Sequence, residues 1–208
     1  MMKIAFVSSL QDKAGKNIRH CLQQLLDVDH TGLPEGRTYE FLEVDGRLIH
    51  AEEIDRKTDA DLVTFISRHS STNPVPVLTV HITGNFREAE LGGTDRTLAP
   101  AATAMMQATL RSLAKYCPEG YRVSYEVTHH GPTGLRLPSF FVEIGSTEQE
   151  WTDPAAGLAG LRPEPRAGAG LGHSIDQILE GFRSGSGIQG RRFDRAQPLL
   201  SRLVGRRW

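Results

Sequence analysis

The chain has 208 residues, 38% of them hydrophobic and 24% charged, enough for one domain with a true core and too apolar for an intrinsically disordered protein. No apolar run approaches the roughly 20 residues of a membrane span, and the opening "MMKIAFVSSL" reads as a first strand rather than a signal peptide. The net charge of −1 hides an asymmetry: residues 161–208 hold nine arginines, no lysine and four acids, a net +5, which leaves −6 on the first 160.

That basic end suits a polyanion, since phosphate neutralisation dominates nonspecific nucleic-acid affinity; an arginine-rich end with no partner explains it equally. Cys21 and Cys117 fall in separate expected helices and in no CxxC or Cys-His cluster. They read as small buried hydrophobes in a reducing compartment.

In chain order, "KIAFVS" (3–8) is a buried strand. Residues 12–26 place Ile18, Cys21, Leu22 and Leu25 at helical spacing. "TYEFLEVDGRLIHAEEI" (38–54) resembles a hairpin turning at Asp45-Gly46. "DLVTFIS" (61–67) and "VLTVHIT" (77–83) have strand length and composition. Residues 100–116 form the clearest helix, with Pro100 in its first turn and Met105 and Met106 assigned to the core. "YRVSYEVT" (121–128) alternates, and "SFFVEIG" (139–145) is a last strand. The expected fold is α/β, a mixed, mostly parallel sheet flanked by helices. After Trp151 the chain turns rich in Gly, Ala, Pro and Arg, with one short helix plausible at 174–182. The division expected is a folded unit over 1–160 and a weakly structured extension over 161–208.

Chemically capable residues gather at the predicted strand ends, where open α/β sheets bind ligands. "FISRHSS" supplies Arg68, His69, Ser70 and Ser71; "LTVHITGNF" supplies His81, Asn85 and Phe86; "YEVTHHGPT" supplies Glu126, Thr128, His129, His130, Gly131 and Thr133; "FFVEIGST" supplies Glu143 and Gly145. Strand phase sets His81 opposite Leu78 and Val80, and Glu143 opposite Val142 and Ile144. It puts Glu126, Thr128 and His130 on one face and sends His129 to the other, unless the Gly131-Pro132 turn relaxes the strand. Histidine and glutamate on one face serve as base and orienter or as metal ligands. "GGTDRT" (92–97) is Gly-rich but lacks the P-loop lysine, and no GxSxG elbow accompanies Ser70. The residues alone therefore lead to an α/β hydrolase-like or transferase-like domain with a histidine-rich cleft. A non-catalytic tRNA- or nucleotide-binding module and a nucleoside phosphorylase-like enzyme stay open.

"SRHSS", "LTVHITGNF", "GG" at 92–93, "EVTHHGPT" and "FVEIGSTEQEW" come in the order of the motifs of the archaeal and plant-type D-aminoacyl-tRNA deacylases, and residues 1–155 resemble that family. Downstream of Trp151 the family's GGxHYAPR-like motif has only "GLGHS" as counterpart. The resemblance implies a cytoplasmic, zinc-binding hydrolase of the ester joining a D-amino acid to tRNA, a proofreading activity. It also implies a fold related to peptidyl-tRNA hydrolases and nucleoside phosphorylases. No membrane partner is expected, and a monomer is. On this reading His129, His130, His81 and Glu143 carry the chemistry. His69, His81, His129, His130 and Glu126 are the candidate zinc ligands. Arg68, Ser70, Ser71, Asn85, Phe86, Thr128, Gly131, Thr133 and Gly145 are the candidate substrate contacts. Backbone N–H groups near Gly131 and Gly145 would face the oxyanion.

Overall fold

The computed structural model describes residues 2–28 and 37–157. Both the boundary expected near residue 160 and the extension over 161–208 lie outside the described residues.

Six strands form one mixed sheet: β1 (Met2–Ser9), β2 (Arg37–Val44), β3 (Leu62–Arg68), β4 (Val77–His81), β5 (Arg122–Tyr125) and β6 (Ser139–Gly145), in the order β2-β1-β3-β6-β4-β5. Pairing is parallel throughout except between β4 and β6. Helix α1 (Lys13–Val28) crosses from β1 to β2, α2 (Thr103–Lys115) precedes β5, and the short α3 (Glu148–Trp151) and α4 (Pro154–Gly157) follow β6. The α/β fold expected from the sequence is the one observed.

The sheet buries both faces differently. Ile4, Phe6, Ile66, Leu78, Val80, Phe140 and Ile144 point to one face, where they meet Ala14, Ile18 and Cys21 of α1 and Met105 and Leu113 of α2. Period-2 alternation sends Val7, Val63, Phe65 and Phe141 to the other face, against Leu48, Ile54, Ala99 and Leu135. Among the described residues no long helix covers this second face. It is covered by two 3-10 turns, Leu48–His50 and Ile54–Lys57, and by irregular chain.

Three local expectations change. Residues 38–54 are not a hairpin. β2 runs parallel to β1 because α1 carries the chain back across the sheet, and the segment after Gly46 curls into 3-10 turns that bury Leu48, Ile49 and Ile54. Pro100 stands outside α2: its carbonyl accepts the Ser139 N–H at 2.9 Å, and the helix begins at Thr103. The strands expected over 77–83 and 121–128 stop at His81 and Tyr125.

Phe140 is fully buried, so Phe140→Ala should cost about 3–5 kcal/mol, whereas Tyr125→Ala on the exposed edge strand should change stability by no more than about 0.5 kcal/mol. Midpoints and slopes of urea unfolding compare the two.

Candidate functional site

The end of β5 sets up the site. Glu126 still donates its N–H to the Val80 carbonyl at 3.0 Å, but residues 126–134 leave the ladder and fold back over the second face. Two backbone bonds hold the returning chain: the Gly84 N–H donates to the His130 carbonyl at 2.7 Å and the Gly131 N–H to the Leu91 carbonyl at 3.1 Å. The alternation that would have parted His129 from His130 therefore never applies, and their rings lie 4.5 Å apart.

Phe141 forms the floor. His81 stacks on it with ring centres 5.0 Å apart and planes 4° apart, and His130 meets it edge-on. The Nε2 atoms of His81 and His130 face one another at 3.1 Å. A carbonyl only accepts, so His129 must donate from Nδ1 to Val127 O (2.6 Å) and His130 from Nδ1 to Gly131 O (2.7 Å). In the neutral His130 ring the lone pair is therefore on Nε2, where it accepts from His81 Nε2–H. Burial, then the neighbouring His130, pushes the His81 pKa down to about 3, and burial pushes that of His130 down to about 4. Both rings are neutral at physiological pH.

Beside the imidazoles stands a charged group. His69, just past β3, places Nδ1 3.0 Å from Glu126 Oε2 and 3.6 Å from Glu143 Oε2. The bond to Glu126, with help from Glu143, raises the His69 pKa to about 10. Burial disfavours the Glu126 charge, but the His69 bond and the surrounding imidazoles outweigh it and bring its pKa down to about 2. Thr79 also donates to Glu126 Oε2, at 3.1 Å. The other oxygen, Oε1, lies 3.6 Å from His129 Nε2. Glu143 is buried, which drives its pKa up, and accepts the Ser67 hydroxyl at 2.5 Å. Two sets of donors result, His81–His129–His130 and His69–Glu126–Glu143, each with ligand atoms within 4.8 Å of one another.

The set opens into a cavity of about 400 Å³ whose walls include Asp12, Arg47, Arg68 and Trp151. Arg68 and Ser70 line it, as expected of substrate contacts. Others of the expected contacts are scaffold. Asn85 is buried and its amide donates to Gly92 O and Thr94 O. Thr133 donates its N–H to Glu52 and accepts the Thr94 N–H at Oγ1. The Ser71 hydroxyl accepts the Asn73 N–H, Thr128 is buried, and Phe86 is half-exposed; none of these three lines the cavity. Gly131 spends its N–H on Leu91, so it cannot serve an oxyanion. Gly145 has a steric role instead: a Cβ there would come within 2.7 Å of the His69 ring. Glycines 92 and 93 pack rather than bind phosphate, since a Cβ on Gly93 would meet Asn85 and Thr133 at 2.8 Å.

Sequence reasoning missed Asp12, Ser67, Thr79, Arg47 and Trp151. Ser67 and Thr79 share strand phase with Glu143 and His81, a signal the sequence did hold. Glu52 was missed too: its carboxylate accepts from Thr133 N and Gly134 N, pinning the chain just after the histidine pair. Removing that acceptor in Glu52→Ala should speed amide exchange of Thr133 and Gly134 about tenfold, the equivalent of one hydrogen bond to a charged group, while β1 amides keep their rates. Hydrogen-exchange mass spectrometry reads both.

Comparison with known proteins bears on the family and the fold. A family model described as D-aminoacyl-tRNA deacylase matches residues 56–161. A protein of Methanoregula boonei named D-aminoacyl-tRNA deacylase is 70% identical over 158 residues, 76% of this chain and 36% of its own length. One of the same name from Methanothrix thermoacetophila is 36% identical across 98% of this chain and 75% of its own. The chain spans about a third of the length of three relatives that are 58–70% identical to it. A crystal structure of a conserved protein of unknown function superposes with a TM-score of 0.70 and 30% identity, over 93% of this chain and 65% of that one.

Proposed function

Since the chain belongs to the D-aminoacyl-tRNA deacylase family, we propose that it hydrolyses the ester between a D-amino acid and the terminal ribose of tRNA. One observation carries the reading: a solvent-reached cavity lined by His69, His129, His130 and Glu143, with the protonated His69 paired to an ionised Glu126 beside it. That is acid–base equipment for an acyl transfer to water, and the ester is already activated.

The donor set fits zinc. His129 and His130, each oriented by an Nδ1–H bond to a carbonyl, match the usual arrangement of ligating histidine, and His81 Nδ1 is buried with no hydrogen-bond partner among the described residues. His81, His129 and His130 would hold the ion, which when bound lowers the pKa of a water to about 7. The chain's own groups account for the remaining steps. Glu126 Oε1, the oxygen not occupied by His69 and Thr79, accepts the proton of the attacking water. The His69 imidazolium stabilises negative charge on the tetrahedral centre and returns a proton to the departing ribose oxygen. Glu143 and Ser67 hold His69 in place, and Phe141 shuts water out from beneath. Among the described residues no helix is long and apolar enough to cross a membrane; a tRNA substrate met in the cytoplasm and a monomeric enzyme belong to the same proposal.

Purified chain should release D-tyrosine from D-Tyr-tRNA and leave L-Tyr-tRNA intact. His129→Ala and His130→Ala should each cut turnover by about 10²–10⁴ with tRNA affinity within a fewfold. Loss of affinity without any turnover in the parent would mark a binding module instead. Zinc affinity, measured against a chromophoric chelator, should fall at least about tenfold in His81→Ala; an unchanged affinity would move the ion elsewhere.

A further inference from the structure

The lining of the cavity carries two guanidinium groups that the chemistry above does not use. Arg47 and Arg68 both line the cavity and both are exposed. Neither has a carboxylate within 4.0 Å among the described residues, whereas several bases elsewhere on the surface do. Arg19 lies 3.2 Å from Glu43 and Arg56 2.7 Å from Glu53, while Lys3 and Lys13 meet Glu40 and Glu148. Two unpaired arginines facing one cavity are conspicuous because the same cavity holds Asp12 and Glu143, and Glu126 bears a charge beside it. Acidic walls repel an anionic substrate unless cations stand at the mouth.

Arg47 follows β2 and Arg68 ends β3, and the backbone of both is anchored by the chain at the carboxyl end of β1. The Ser9 hydroxyl donates to Gly46 O at 2.5 Å, and the Gln11 amide donates to Asp45 Oδ1 at 3.2 Å; together they fix the turn that presents Arg47. Asp12 accepts the Arg68 N–H at 3.1 Å with one carboxylate oxygen and caps α1 through Gly15 N–H with the other. The Arg68 guanidinium then lies over the Trp151 ring, 5.2 Å from its centre. Trp151 is itself held by its indole N–H donating to His69 O at 2.9 Å. The stacked guanidinium keeps its edge donors free, the geometry suited to bidentate recognition of a phosphodiester.

From these contacts we infer that Arg47 and Arg68 form a phosphodiester clamp that seats the single-stranded 3′ end of the polynucleotide, with Trp151 as the platform for Arg68, so that the terminal ester reaches the imidazole floor. The identity of the polynucleotide rests on the deacylase reading; the clamp itself rests on charge and geometry. Phosphate contacts of this kind position a substrate without taking part in its chemistry.

The test uses Arg47→Gln, Arg68→Gln and, as a surface control, Lys16→Gln on α1. Each arginine variant should raise KM for D-Tyr-tRNA about tenfold with kcat within twofold. It should leave hydrolysis of the D-tyrosyl ester of adenosine, which has no phosphate, unchanged. Binding of uncharged tRNA should lose about one unit of its log–log salt slope per arginine, and Arg68→Lys should restore the slope but not the whole KM. Lys16→Gln should do none of this. Unchanged KM and slope would overturn the clamp, as would an equal loss on the adenosine ester, which would place the arginines in the reaction centre. If the parent hydrolyses neither substrate, the deacylase reading fails alone where the salt slope still depends on both arginines; where it does not, the clamp fails as well.

Discussion

The pairing of His69 with Glu126 is the contact around which the rest of the site is ordered. It joins the end of β3 to the chain leaving β5, two segments 57 positions apart. It also keeps a charged carboxylate in a place where burial alone would neutralise it. With that charge retained, the pocket holds opposite protonation states side by side: a cationic His69, an anionic Glu126, and a neutral His81 and His130. An ionised carboxylate next to neutral imidazoles puts a proton acceptor, a proton donor and uncharged ring nitrogens on different side chains of one pocket.

The lopsided covering of the sheet makes room for this. α1 and α2 both pack on the face carrying Phe140 and Leu78, so helix packing, which tolerates little rearrangement, is confined to one side. The face carrying Phe141 is closed by 3-10 turns and returning loops, whose backbone must find partners one group at a time. Carboxylates supply them. Glu52 receives the amides of Thr133 and Gly134, and Asp55 those of Arg136 and Leu137. Glycine permits the contacts that follow, since a Cβ on Gly131 would approach Gly93 N to 2.5 Å. The loop is irregular in form yet closely determined, as a pair of adjacent histidines aimed at one point requires.

Much of this was legible before any coordinates. Alternation in "LTVHIT" and "FFVEIG" put His81 and Glu143 opposite the aliphatic positions, and the sheet keeps them there. The same reasoning failed for His129 and His130 because it prolonged β5 to residue 128. β5 is the edge strand, where the ladder has one neighbour and little holds the period beyond Tyr125. The hairpin expected at Asp45-Gly46 failed for a related reason: a turn dipeptide signals a reversal, but whether the next segment pairs or caps depends on which face of the sheet lacks cover. The site contacts of Asp12 and Trp151 carried no local signal, since Arg68 and His69 lie more than 50 positions away; what Asp12 showed locally was only a helix cap.

By itself the sequence determined the strands, the helices and the side of each strand on which the polar residues stand, because period-2 and period-3.6 patterning are local consequences of backbone geometry. It also carried, in "THHGPT" and "FVEIGST", the residue types from which the family could be recognised. Only the tertiary structure decided that two adjacent imidazoles converge, that Glu126 keeps its charge, and that Arg47 joins Arg68 at the same cavity. Those outcomes depend on distances and burial between segments far apart in the chain, and electrostatic energy follows distance and solvent access rather than sequence order.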